Sequence, residues 1–266
     1  MRRLTLNACA FALAIIVAAP GIAAERPLST DRPDRTKSPY SVPKGWVQVE
    51  SDVLTQGQFE GSGGSITGTS VMAFNAKYGV ARNLDVQFLF APWVRVRAER
   101  AGFPDDESNG TGPAGLRLKY NLAGNDISGP AMAVLPFAYV PTRGDAIFDS
   151  ITWGLVAPVS IDLGGDRAMS AMAGAMRLNN EKTWVIGSIS LGTPIAGDFA
   201  GFVEIYIARA GFADDALDDT TFDAGITFAP DPDWQLDTGI YYGITSSTED
   251  WRVFVGASAR FDLSPK

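Results

Sequence analysis

The residues of this chain that could do chemistry are acids and bases: Lys77 and Asp85, eight positions apart on either side of a turn, Arg117 with Lys119, two apart, then Glu204, Asp223, Asp237 and Arg252. Little else is reactive. The 266 residues include no histidine, and the single cysteine, Cys9, falls in an apolar leader. The chain therefore lacks Ser-His and Cys-His arrangements, and imidazole or thiolate metal sites. Carboxylate pairs remain, but no spacing among them favours acid–base work over ion pairing, so no catalytic residue, no metal site and no cofactor is expected. Spacing in twos has a different consequence, which is a strand with one charged face.

The clearest such element runs from Thr69 to Val94. Met72, Phe74 and Tyr78 alternate with Asn75 and Lys77. After a turn over 79–83, Leu84, Val86, Phe88 and Phe90 alternate with Asp85 and Gln87. Folding the arms about that turn sets Lys77 opposite Asp85 and Phe74 opposite Phe88. One face is wet and the other apolar, and a soluble sandwich and a membrane barrel would share this pattern with opposite faces turned inward.

The N-terminus bears on that choice. Arg2 and Arg3, an apolar run from Ala8 to Ala19 and the small residues before Glu25 form a secretory signal peptide, with cleavage expected after Ala24. Of the 22 basic and 30 acidic residues, two arginines go with it, moving the formal charge from −8 to −10. Nucleic acid is excluded as a partner on that charge. Beyond the leader no apolar stretch reaches the ~20 residues of a spanning helix, so a membrane form must be a barrel.

Strands are expected over 46–56, 68–78, 84–96, 113–121, 131–141, 151–162, 168–178, 183–192, 199–210, 220–229, 233–243 and 251–261. The fold class is thus all-β: a transmembrane up-and-down antiparallel barrel of about 12 strands, the even count returning both termini to the periplasm. With that parity, turns at 79–83, 122–130, 163–167, 193–198 and 230–232 lie inside. The connections over 57–66, 99–112, 142–150, 179–182, 211–219 and 245–250 lie outside and hold the acid clusters Asp105-Asp106-Glu107, Asp214-Asp215 and Asp218-Asp219. Such segregation favours an outer-membrane barrel over a soluble sandwich or a lipocalin-like barrel. All six tryptophans lie at strand ends, Trp46 and Trp234 at the inner end and Trp93, Trp153, Trp184 and Trp251 at the outer end, as two interfacial belts require. Strict alternation turns Trp46 and Trp93 inward, so the belts demand a bulge near each.

Residues 25–44 hold four prolines and many charges and are expected to form an extended periplasmic lead-in to a barrel over 45–266. Thr30-Asp31-Arg32-Pro33-Asp34, followed by Thr36, Ser38-Pro39, Val42-Pro43, Gly45, Gln48 and Glu50, resembles the opening motif of an outer-membrane family named for the meta-pathway of phenol degradation. The family's usual acid after the threonine is Lys37 here. The resemblance implies a Gram-negative outer-membrane barrel with a transport role.

Two readings of the lumen stay open. Its charges select solutes in a polar channel, or they fill the barrel as ion pairs. Arg95 and Arg97 also fall on this face by alternation. Phe202, Tyr206, Tyr241 and Phe254 are inward-phase aromatics that either stack an aromatic solute or pack against the lead-in folded inside. Antiparallel pairing should bring Tyr241 and Phe254 together at the outer mouth. The function expected is passive uptake of small molecules, aromatic or hydrophobic ones among them, the alternative being a closed structural or interaction barrel. The partners expected are outer-membrane lipid and lipopolysaccharide, the barrel-assembly machinery reading Phe261, and the solute.

Overall fold

A computed structural model describes residues 28–126, 129–142, 150–178, 182–211 and 217–263. The leader, Asp214-Asp215 and the last three residues of the tail lie outside the described residues. Fourteen segments form one sheet: β1 (Trp46–Gly61), β2 (Gly64–Ala81), β3 (Leu84–Phe90), β4 (Trp93–Arg100), β5 (Asp106–Gly110), β6 (Ala114–Ala123), β7 (Ala131–Val140), β8 (Thr152–Gly164), β9 (Arg167–Leu178), β10 (Thr183–Ala196), β11 (Phe199–Ala210), β12 (Leu217–Asp231), β13 (Trp234–Gly243) and β14 (Trp251–Asp262). β3 with β4, and β5 with β6, are halves of two interrupted strands, because both β3 and β4 pair with β2 while β6 and β5 pair with β3 and β4. The barrel therefore has 12 antiparallel strands, closed where β1 pairs with both β14 and β2.

The apolar face points outward. Leu116, Leu118 and Tyr120 on β6, Val203, Ile205 and Ile207 on β11, and Val253 and Val255 on β14 are all exposed, while their alternates Arg117, Lys119, Glu204 and Tyr206 are buried. Each exposed ring or aliphatic chain would lose roughly 1.5–3 kcal/mol of burial free energy in water, so this wall requires hydrocarbon around it. A soluble sandwich would bury the opposite set. On β7 to β11 part of the inner face is apolar too, with Leu135, Val156, Met172 and Ile186 in one interior cluster. That is why the Ala- and Met-rich β9 shows no alternation: both of its faces meet apolar surroundings.

Four connections at one end are tight, with residues 82–83, 165–166, 197–198 and 232–233 separating successive strands, and the fifth there spans 124–130. This is the turn end, and the opposite one is the mouth. Two loops expected at the mouth are strand instead. β1 and β2 run on to a two-residue turn at Ser62-Gly63, and β4 pairs with β5 across 94–98, so the wall rises as hairpins on that side.

Register departs from expectation at the opening hairpin. Lys77 faces Gln87, Phe74 faces Phe90 and Gly79 faces Asp85. The turn is two residues rather than five, with an irregularity between Gly79 and Ala81, which slides the pairing by two and keeps every side chain on its face. Four neighbouring strands then invert their phase at one level. β1 bulges between Asp52 and Leu54, β2 carries Met72 at φ 57°, and the next two strands break at Ala91-Pro92 and at 111–113, where the prolines offer no N–H. The inversion turns Trp93 outward, and it turns Arg95 and Arg97 away from the lumen. They are half-exposed there and pair with Glu107 and Asp105. Trp46 is a different case. It is buried under the Arg260 guanidinium, 5.3 Å from the ring centroid, and so sits inside, not in a belt. Trp184 likewise packs against the interior cluster.

Candidate functional site

The lead-in does not hang below the barrel. Its described part enters the lumen, rises to mid-height and returns. Leu28 N–H donates to the Pro232 carbonyl at the turn end (3.0 Å), and Gly45 N–H donates to Gly79 O (2.8 Å) as the chain passes into β1. Between these anchors Asp31, Thr36 and Ser41 are almost fully buried. A proline-rich segment suits this task, because it makes few backbone hydrogen bonds of its own and leaves its remaining N–H groups for wall side chains. Asp31 N–H donates to both Glu50 oxygens (3.1 Å each). Arg35 and Thr36 N–H donate to Glu204 (2.6 and 2.8 Å), and Val42 N–H donates to Asp85 Oδ2 (2.9 Å).

One half of the plug is an ion cluster centred on Asp31. Lys119 Nζ donates to its Oδ1 at 2.9 Å, Lys77 Nζ lies 2.8 Å from Oδ2, and Arg117 reaches Oδ2 at 3.3 Å. Lys77 also pairs with Glu50. Burial would raise the Asp31 carboxyl, but Lys119, Lys77 and Arg117 together outweigh it and hold the group well below the usual carboxylate range. Ion pairs this deep contribute modestly to net stability, yet removing one member strands the others. The cluster therefore specifies where the lead-in sits.

The other half is cationic on the plug and aromatic on the wall. Arg32 donates to Asp237 Oδ1 (2.7 Å), pairs with Asp52 and lies 5.3 Å from the Phe254 ring centroid. Arg35 stacks on Tyr206, its guanidinium carbon 3.4 Å from the ring centroid, and pairs with Asp219 at 3.0 Å. Tyr241 donates its hydroxyl to Pro33 O (2.7 Å). The fit is close: a Cβ on Gly79 would stand 1.9 Å from the Pro43 carbonyl oxygen, and one on Gly256 would stand 2.0 Å from the Arg32 guanidinium.

Above the plug lies a cavity of about 680 Å³ that opens at the mouth. Arg32, Pro33, Asp34 and Lys37 of the lead-in form its floor, Tyr139, Tyr241 and Phe254 give it aromatic walls, and Arg117, Glu249 and Arg252 add charge. Its size lies within the ~300–1,000 Å³ usual for small-molecule sites.

Of the residues selected by sequence, Lys77, Asp85, Arg117, Lys119, Glu204, Asp223 and Asp237 are all buried inside, and all but Asp223 bond or pair directly with the lead-in. Both Asp223 oxygens lack a hydrogen-bond partner among the described residues, beside its cross-strand neighbour Glu204. Arg252 stands apart at the mouth, half-exposed and paired with Glu249 at 2.8 Å. Tyr241 and Phe254 come together with ring centroids 4.9 Å apart, though their strand pairing is diagonal, since Phe254 faces Gly239. Phe202 and Tyr206 are inward and buried but lie off the cavity. Periodicity does not mark the lead-in's own residues, Asp31, Arg32, Asp34, Arg35 and Lys37, because a single pass of chain has no period. The one signal for them was the Thr30 to Asp34 motif.

The model of the family described as "Putative MetA-pathway of phenol degradation" matches residues 30–261. No curated protein matches the sequence. Among solved structures, an outer membrane channel from Pseudomonas putida F1 is similar with a TM-score of 0.65 at 15% identity, over 84% of this chain and 97% of that one. The translocator domain of the autotransporter NalP from Neisseria meningitidis gives 0.52 at 10% identity, over 81% and 88%. The KdgM porin in complex with disordered oligogalacturonate gives 0.51 at 10% identity, over 80% and 99%. At such identities the likeness is one of fold, that of outer-membrane β-barrels.

Proposed function

This chain belongs to the phenol-degradation family whose model spans residues 30–261, and from that premise we propose that it is an outer-membrane channel for passive uptake of small molecules, aromatic or hydrophobic ones among them. The observation that carries the reading is the cavity of about 680 Å³, open at the mouth and floored by a lead-in that bonds to the wall mainly through side chains. A floor held in this way can shift without unpairing any strand. In this reading the mouth faces the exterior, residues 1–24 are a signal peptide removed on export, and lipid, lipopolysaccharide and the assembly machinery are partners. Tyr241 and Phe254, which line the cavity, form the aromatic part of the solute path, while Tyr206, stacked under Arg35, holds the plug beneath it.

The plug itself favours a second reading, a closed barrel that conducts nothing. Planar-bilayer recordings separate the two. The channel reading expects discrete openings of the full-length protein, lengthened when Asp31 is changed to Asn. Silence from both the parent and that variant, in protein shown to be folded by heat-modifiable migration, establishes the closed barrel.

A further inference from the structure

The cavity floor carries cationic groups that the barrel does not fully pair. Its lining acids are largely answered: Glu50 by Lys77, Asp52 by Arg32, Glu249 by Arg252, and Asp31 by Lys77, Lys119 and Arg117. Asp31 and Glu50 thus offer two negative charges to three cations, and Asp85 balances these only from the turn-end side, away from the cavity. Of the three, Arg117 is the one that faces the cavity. Its NH1 and NH2 groups are bonded to Asp31, Gln87 and Tyr139, but its buried Nε has no partner among the described residues. Lys37 lines the same floor, and its ammonium donates to the Asp31 backbone carbonyl at 3.3 Å with no carboxylate within ion-pair distance among the described residues. Asp34 is the one unpaired lining acid, and it is engaged with Ser190.

The rings of this cavity are Tyr139, whose hydroxyl already accepts from Arg117, and Tyr241 with Phe254, whose centroids are 4.9 Å apart. A solute that satisfies this surface has a flat apolar body and one anionic end. A neutral arene leaves Lys37 unanswered, and a small inorganic anion leaves the rings wet. We infer that the cavity is a binding site for small aromatic carboxylates, with the carboxylate between Lys37 and Arg117 and the ring against Tyr139. This rests on the channel reading for its physiological meaning, but binding itself requires no conduction.

Calorimetry on the folded, detergent-solubilised full chain tests the assignment with benzoate, benzyl alcohol and acetate as probes. Benzoate should bind at least tenfold more tightly than either of the others. Lys37→Met, which removes one charge and a single hydrogen bond, should weaken benzoate about tenfold and leave benzyl alcohol unchanged. Equal binding of benzoate and benzyl alcohol, equal binding of benzoate and acetate, or no measurable benzoate binding overturns the assignment, and those comparisons need no variant. Liposome flux of the same probes keeps the two proposals apart. Benzoate binding without flux leaves this site standing and removes the channel, whereas flux of all three probes with no preference in binding does the reverse.

Discussion

Asp31→Asn isolates the electrostatic hold on the plug. The amide keeps the side chain's shape and can still accept the Ser38 N–H, which lies 3.0 Å from Oδ1. What it loses is the charge that answers Lys119 at 2.9 Å, Lys77 at 2.8 Å and Arg117 at 3.3 Å. Removing one member of a buried ion pair costs about 3–5 kcal/mol. Lys77 retains Glu50 and Lys119 retains the Tyr40 carbonyl, so the lower end of that range applies. About 3 kcal/mol is roughly a hundredfold in an equilibrium constant. The barrel's own strand pairing is untouched, so the loss falls on lead-in docking. In single-channel recordings the open fraction should rise about a hundredfold or until it saturates, and trypsin should cleave after Arg35 and Lys37 sooner than in the parent. Detergent-gel migration should still report a folded barrel. An open fraction within threefold of the parent, with unchanged trypsin cleavage, would refute the view that this cluster holds the plug.

Three further outcomes are expected. Burial and the neighbouring Glu204 charge push Asp34, which lies in the lead-in and outside the spanning strands, up to about 7 against the opposing pull of Ser190 and Lys37. A raised carboxyl favours docking while protonated, so docking should weaken as pH rises from about 4 through 7 and then level off, while Asp31, held far lower, adds its loss only in stronger acid. Open fraction against pH should follow that curve in the parent and flatten in Asp34→Asn. Gly79→Ala should loosen the lead-in more than Gly256→Ala, because the new methyl meets the Pro43 backbone in the first case and the mobile end of Arg32 in the second. Comparative trypsin cleavage rates read the order. The double change Tyr241→Ala, Phe254→Ala should lower the ratio of aromatic to small-sugar uptake in liposomes with the barrel still folded, and an unchanged ratio removes these rings from the solute path.

Strand number, strand positions and the polarity of each face could be read from the sequence, since each depends on period-two alternation within ten residues or so. The same local signal located Lys77, Asp85, Arg117, Glu204 and Asp237 on the inner wall. It failed where both faces meet apolar groups, as on β9, and where a bulge inverts the phase, as at Met72 and Ala91-Pro92. Trp46 was assigned to a belt because strand-end position alone does not reveal that Arg260 covers the ring from within. The site depended most on contacts far apart in the chain. The cations that meet the Asp31 carboxylate lie 46 to 88 positions away, and Arg32 meets Asp237 across 205. An extended proline-rich segment is written the same way whether it lies outside the barrel or inside it. Only the closed wall, bringing Glu50, Lys77, Lys119, Glu204 and Asp237 around one axis, supplies the charges that draw it in.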